Sequence, residues 1–535
     1  MQSSLASSFT TRVGNPSRSL ARALRPPLLR PASTSSQPSS LLPQVTTLPN
    51  KLRVVTEGAP TYVHSLGVFI DGGTRFESER TSGVTHLLDK MAFKSTARFS
   101  DTEMIAQIDQ LGSHMFNASS RDFIQYQTTV FPQSLPLAVS LLSSTILDPL
   151  LLPNELEEAR AAAAYEIREA WAKAATIMQE IVHQTAYAGK TLGMPTICPE
   201  PQLEVLSERD FRGYMRDWYR PERMVIAGYG IPHEELVDLV DRHFGGMAAP
   251  AVTSALSSSS HLFAGRGQRS GSGAKTFATV SSAPYDRDLE SDFATLTDAK
   301  AVYTGGETYI DKPDEEFVHL FIGFESLHAT DPDVYAVAVI NTLLLGGSSF
   351  SQGGPGKGMF SRLHQNVLNR HHWVDLCQSL HQCYGDSGVL GIHAAVFPDY
   401  APRVAQAVAG QLHALTGSMM GGVNEEQLGR AKNMLKSMMV MQTESRVVAV
   451  EDLGRQFMSQ GYKESVQEMC AKIDAVTRED TWRVATRILR PSPTTKALNH
   501  GVGSGDPTIV AIGRNLERLG DVKQVLRKWD LGRRA

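Results

Sequence analysis

Cysteine is scarce: Cys198, Cys377, Cys383 and Cys470 are the only four in 535 residues. Most lie too far apart for a disulfide framework, so a reducing compartment is the simplest setting. Long apolar runs are also missing. The longest, such as "LAVSLLSSTIL" at 137–147, are short and interrupted by serine, so no membrane span is expected. There is no excess of positive charge either. A formal net charge of -4 argues against general nucleic-acid binding, and no nucleic-acid partner is expected. The most telling absence is local: no acidic residue precedes Glu57. Arg12, Arg18, Arg22, Arg25 and Arg30 stand instead among many serines, the composition of a mitochondrial transit peptide. Residues 1–42 are therefore expected to be a disordered targeting segment, with folding from about Pro43.

What remains is ordinary for a globular protein, with 41% hydrophobic and 20% charged residues, and it is too long for one core. "QVTTLPNKLRVVTE" and "TYVHSLGVFIDGG" alternate apolar and polar residues as half-buried strands do. Helices are expected around His86, with Thr81-Ser82 as caps, from Ser100-Asp101 to Gly112, and from Pro153 through "YEIREAW". "RDFRGYMRDWYRPERMVIAGYG" reads as helix then strand, and "REDTWRVATRILRPSPTTKALNHGVGSGDPTIVAIG" repeats that order near the end. "TYVHSLGVFIDGG" likewise has a counterpart in "EFVHLFIGFES". Matching order at both ends predicts a duplication. The expected units are 43–250 and 296–535, joined by a Ser/Gly-rich linker or insertion at 251–295. Each is expected to be an α+β sandwich, a largely antiparallel sheet with helices on one side.

Two stretches carry chemistry. In "GVTHLLDKMAFKST" (83–96), His86 and position 90 lie four apart, where two histidines on adjacent helical turns could hold zinc beside a carboxylate base. Position 90 is Lys90, whose ammonium has no lone pair and repels a dication; Asp89 is one methylene shorter than the glutamate such a base needs. A third ligand is usually a distant glutamate; Glu166 and Glu169 both stand on the later helical segment "YEIREAW", and a Lys90–Glu166 ion pair is one way to fill the place of the metal. No catalytic or metal-binding residue is expected here. In "LLLGGSSFSQGGPGKGMFSRL" (343–363), Gly346, Gly347, Gly353, Gly354, Gly356 and Gly358 expose many backbone amides. Gly356-Lys357 is followed by Gly358 rather than Ser or Thr, so the stretch fails as a phosphate loop. A third cluster, His371, His372, Cys377, His381 and Cys383, lacks paired ligand spacing, is expected to be split by strand alternation, and reads as a hairpin turning at Tyr384-Gly385-Asp386.

"GVTHLLDKMAFKST" resembles the zinc helix of the pitrilysin-like peptidases (family M16), in the branch of the mitochondrial processing peptidase and the core proteins of the cytochrome bc1 complex. The resemblance continues through "YRPERMVIAGYG" and "TESRVVAVEDLGRQ", and so covers nearly all of the chain after residue 42. It implies two homologous α+β domains in a clamshell-like subunit. "GGPGKGM" followed by "SRL" resembles the glycine-rich loop of the substrate-recognising subunits in that branch. The resemblance therefore implies a non-catalytic matrix subunit, inactive alone. It would bind no cofactor itself and would hand presequence peptides to a β subunit that carries the Zn2+. The implied presequence contacts are Gly346, Gly347, Gly353, Gly354, Pro355, Gly356, Lys357, Gly358, Met359 and Phe360. Presequences are basic, so acidic residues should line their path: Glu425, Glu426, Glu444 and above all Glu451 and Asp452. The alternative implied role is a core subunit of the bc1 complex at the inner-membrane surface, structural or serving both purposes.

Overall fold

The computed structural model describes residues 42–59, 61–248, 293–349, 358–417, 422–492, 498–500 and 505–533. The expected targeting segment, nearly all of the expected linker and Gly353–Lys357 lie outside the described residues.

The alternating segments of the first half form β1 (Gln44–Thr47), β2 (Arg53–Glu57), β3 (His64–Ile70), β4 (Met115–Ser119), β5 (Ile124–Val130) and β6 (Met224–Tyr229). Those of the second form β7 (Gly306–Asp311), β8 (Val318–Ser326), β9 (Gly346–Ser348), β10 (Val374–Cys383), β11 (Gly388–Val396) and β12 (Thr508–Gly513). They make two six-stranded sheets, ordered β1-β2-β6-β3-β5-β4 and β7-β12-β8-β11-β10-β9. With the edge strands β1 and β9 set aside, the orders correspond strand for strand. In each, one parallel pair (β2–β6, β7–β12) precedes antiparallel neighbours. The repeat visible in the sequence is therefore a repeat of topology.

The helices of the first half are α1 (Val84–Met91), α2 (Asp101–Leu111), α3 (Leu135–Leu147), α4 (Pro153–Ala172), α5 (Ala174–Ala186), α6 (Gln202–Val205), α7 (Glu208–Trp218) and α8 (His233–Phe244). Those of the second are α9 (Phe293–Leu296), α10 (Val334–Leu344), α11 (Ala401–Leu415), α12 (Glu425–Thr443), α13 (Arg446–Gln460), α14 (Val466–Ala475), α15 (Arg478–Leu489) and α16 (Val522–Lys528). The duplicated helix–strand unit starts alike in both copies: reciprocal capping boxes, Ser207 with Asp210 and Thr477 with Asp480, open α7 and α15. No helix among the described residues is long and apolar enough to cross a membrane.

Each half packs helices of its own on one face of its sheet, around separate apolar cores. The opposite face is covered from the other half. Helix α5 lies against β12, β7 and β8 of the second sheet, where Ala174, Ile177, Met178, Ile181 and Val182 meet Phe321, Val389, Val510 and Ile512. Helix α13 lies against β6, β3 and β2 of the first, where Val450, Leu453 and Phe457 meet Val55, Phe69, Val225 and Ala227. The exchange requires close approach. A Cβ on Gly454 of α13 would lie 2.2 Å from the Phe69 ring, so only glycine lets the helix settle. A part-buried ion pair joins the halves as well: Arg75 reaches Asp122 at 2.8 Å and Asp386, across the boundary, at 2.7 Å.

The hairpin at 384–386 forms where expected. Alternation does not split its cysteines and histidine, however. Cys377, His381 and Cys383 share one parity of β10, and rise along the strand separates them instead. His381 bonds Ser326 Oγ at 3.2 Å, and the Cys383 thiol donates to the Leu327 carbonyl at 3.2 Å. His371 and His372 precede the strand.

Candidate functional site

Helix α1 owes its position to Val84, Leu87, Leu88 and Met91, which it buries, and it packs on α4, α7 and β4. Thr81 and Ser82 do not cap it. Its N-cap is Gly83 at φ 91, and the cap is supplied from outside: the buried Glu77 carboxylate accepts from Gly83 N at 2.7 Å, Thr85 N at 2.9 Å and Thr85 Oγ1 at 2.7 Å. A carboxylate suits the positive end of the helix, although burial pushes the Glu77 carboxyl up to about 7. Gly83 is required twice over, by its left-handed backbone and because a Cβ there would lie 2.3 Å from Cys198 Sγ.

One turn along, the three residues expected at a metal site do come together. The Lys90 ammonium is ion-paired with Glu166 Oε2, and His86 Nε2 lies 3.2 Å from the same oxygen. Burial alone would raise the Glu166 carboxyl; hydrogen bonds from Lys90 and His86, with the charge of the Lys90 ammonium, outweigh it and hold the group below its usual range. Asp89 is turned to a different task. It is part-buried and accepts from Asn117 Nδ2 at 2.8 Å, Ser119 N at 2.9 Å and Ser119 Oγ at 2.7 Å, so it ties α1 to β4. Burial raises its pKa, and those bonds only partly offset the rise.

This donor set does not fit zinc. Lys90 fills the second ligand position with a cation and holds the third ligand. His86 is wrong in a second respect. Its Nδ1 accepts the backbone N–H of Cys198 at 3.1 Å, so the ring proton resides on Nε2, which donates to Glu166. A ligand histidine needs the opposite tautomer, with Nδ1–H donating away and a lone pair at Nε2 facing the metal. Neither Glu77 nor Cys198 carries a recognised sequence signal; both act from outside the motif, Glu77 from six residues before the N-cap and Cys198 across the fold.

The glycine-rich stretch begins at the edge of the second sheet. Gly346 and Gly347 form β9 against β10, and a Cβ on Gly346 (φ 86) would lie 2.0 Å from the Cys377 carbonyl. Gly346 N donates to Ser361 Oγ at 3.1 Å, which pins the stretch's two ends together. Gly353, Gly354, Pro355, Gly356 and Lys357 lie outside the described residues. Gly358 (φ 86) again excludes a side chain, since a Cβ would meet Leu345 at 2.4 Å. Met359 and Phe360 follow, 40% and 65% exposed, at the mouth of a cleft of about 260 Å³ between α10 and α12.

The acidic candidates are not gathered beside that cleft as one group. Glu425 and Glu426 open α12, with Glu426 paired to Arg430. Glu444 follows α12. Glu451 and Asp452 ride on α13, which covers the first sheet: Glu451 pairs with Arg455 at 3.3 Å, and Asp452 accepts from Gln456 at 2.8 Å. Both partners lie four residues on, a helical spacing readable in the sequence.

Residues 53–200 match the model of the insulinase family (peptidase family M16), and residues 206–435 match that of the M16 inactive domain. The chain is 36% identical to the mitochondrial-processing peptidase subunit alpha of Neurospora crassa over 94% of its length and 93% of the relative's. It is 35% identical to the human protein of that name over 85% of its length and 81% of the relative's. With the probable alpha subunit of Schizosaccharomyces pombe it shares 33% identity over 91% and 88%. These matches and the duplicated sheets agree: the chain belongs to peptidase family M16, with alpha subunits of the mitochondrial-processing peptidase among its relatives.

Proposed function

We propose that this chain is the substrate-recognising, non-catalytic subunit of a heterodimeric mitochondrial processing peptidase. It binds the basic presequences of imported precursors and presents them to a zinc-bearing β subunit. The observation that carries this reading is the Lys90–Glu166 pair, with His86 in the wrong tautomer: the family's metal position is filled by a built-in cation. No zinc is held by this chain, and the hydrolytic chemistry belongs to the partner. The glycine-rich stretch supports the recognition role. Its ends are pinned by Ser361, while Met359 and Phe360 stand exposed beside it, an apolar contact suited to amphipathic segments of varied sequence. Relatives named for mitochondrial processing and the acid-free N-terminal segment support placement in the mitochondrial matrix.

The test is reconstitution with the β subunit. Deleting Gly353 to Gly358 is expected to weaken presequence binding and slow cleavage by tenfold or more, on the order of 1.4 kcal/mol, while the heterodimer still assembles. Unchanged binding and cleavage would remove the loop from recognition.

A further inference from the structure

The cleft beside Met359 and Phe360 is lined by two arginines, some of whose donor atoms have no hydrogen-bond partner among the described residues. It is lined by Thr342 and Leu343 of α10, the 358–362 segment, and Gln427, Arg430 and Met434 of α12. Arg362 is only 7% exposed. Its Nε and Nη1 are buried without a hydrogen-bond partner among the described residues, and so is Nε of Arg430. Arg430 pairs with Glu426 and lies over the Phe360 ring at 5.7 Å, so one edge of its guanidinium is used and the other is not. Arg362 is held in place through its neighbours: Ser361 accepts from Gly346 N, and Leu363 is fully buried in the second core.

Buried charged donors without partners are costly and uncommon. Arginine cannot relieve the cost by shedding its proton in water-like surroundings, although burial lowers the Arg362 pKa. An acceptor is therefore missing, and a carboxylate is the chemical match for two guanidinium groups on one cleft. The walls narrow the choice. Leu343, Met359, Phe360 and Met434 make the rest of the cleft largely apolar, and about 260 Å³ is far more room than one carboxylate needs. From the orphaned donors and these walls, we infer that the cleft binds an acidic side chain flanked by an apolar residue on a peptide segment of another protein. This goes beyond the proposed presequence role and does not depend on it, because basic, acid-poor segments would not supply the carboxylate.

The probes are two end-blocked peptides, acetyl-Leu-Asp-Phe-amide and acetyl-Leu-Asn-Phe-amide, titrated into the full chain by calorimetry at low salt. The Asp peptide is expected to bind about tenfold tighter, the scale of one charge-assisted hydrogen bond. Arg362→Gln should abolish that preference, and Arg430→Gln and added salt should each reduce it. Equal affinities for the two peptides would overturn the inference, as would a preference that survives Arg362→Gln. Displacement of the Asp peptide by acetate at matched concentration would also overturn it, because the site would then be a simple anion site. If Arg362→Gln does not fold, Arg430→Gln and Phe360→Ala decide. Both alter partly exposed side chains, and no loss of preference in the first or of affinity in the second rejects the site.

Discussion

The two halves share a strand order but differ where chemistry would reside. In the first, α1 carries His86, Asp89 and Lys90 at the spacing of a zinc motif, all ordered by hydrogen bonds or an ion pair. The corresponding place in the second half is taken by α10, whose "VYAVAVINTLL" buries Val337, Ile340, Leu343 and Leu344 and offers no ligand set. The second half instead has the glycine-rich edge at β9 and the cleft behind it. One copy thus keeps His86, Lys90 and Glu166 paired with one another, and the other carries a glycine-rich edge beside the exposed Met359 and Phe360. The framework outlasts the site because different residues maintain it. Glu77, Gly83 and Cys198 hold α1, and none of them would touch a metal.

The halves also differ in how tightly they receive the exchanged helix. On the first sheet, Phe69 folds over Gly67 of its own strand and leaves room for α13 only because position 454 is glycine. On the second, Phe321 lies over Gly323 and shares a core with Met178 and Val182 of α5, where no glycine is demanded. Truncation should therefore hurt both halves, and overfilling only the first. Phe69→Ala and Phe321→Ala are each expected to cost about 3–5 kcal/mol in denaturant unfolding. A cost for Phe69→Ala under about 1 kcal/mol would mean that α13 does not depend on the first sheet. Gly454→Ala should cost about 1–3 kcal/mol through overpacking, even though alanine is the better helix former by about 1 kcal/mol. Stabilisation by that change would refute the close approach.

Much of this was legible beforehand. The duplicated helix–strand units and the hairpin at 384–386 follow from periodicity and turn residues in the sequence; the nearness of Glu166 to His86 is implied by the family resemblance alone, and its pairing with Lys90 stands there only as one option. The exchange of α5 and α13 was not, because an amphipathic helix does not announce which of two similar sheets it covers. Cys198 was missed for a related reason, since its N–H meets the His86 ring across the fold; Glu77 lies only six residues before Gly83, but no capping pattern marks that spacing. Thr81 and Ser82 had the right residue types for a cap and the wrong geometry, since the left-handed Gly83 intervenes.

A smaller effect sharpens the contrast at α1. The Glu166 carboxyl titrates below its unfolded value of about 4.3, so its stabilisation is complete above that pH and lost as pH falls through the folded value. Glu166→Gln should remove this acid dependence at a cost below about 1 kcal/mol near neutrality, because the pair is half-exposed and screened. Unfolding curves from pH 3 to 7 with the mutant as control read it directly. A loss of several kcal/mol at neutral pH would show the pair to be a main support of α1.

The most direct test is the zinc content of the full chain, purified alone and equilibrated with zinc before gel filtration. The wild type should retain far less than one zinc per chain, unchanged by His86→Ala. Lys90→His alone should not restore tight binding, because Cys198 N–H still holds His86 in the wrong tautomer. One zinc per wild-type chain, lost on His86→Ala or Glu166→Gln, would contradict the assignment of this chain as the metal-free subunit.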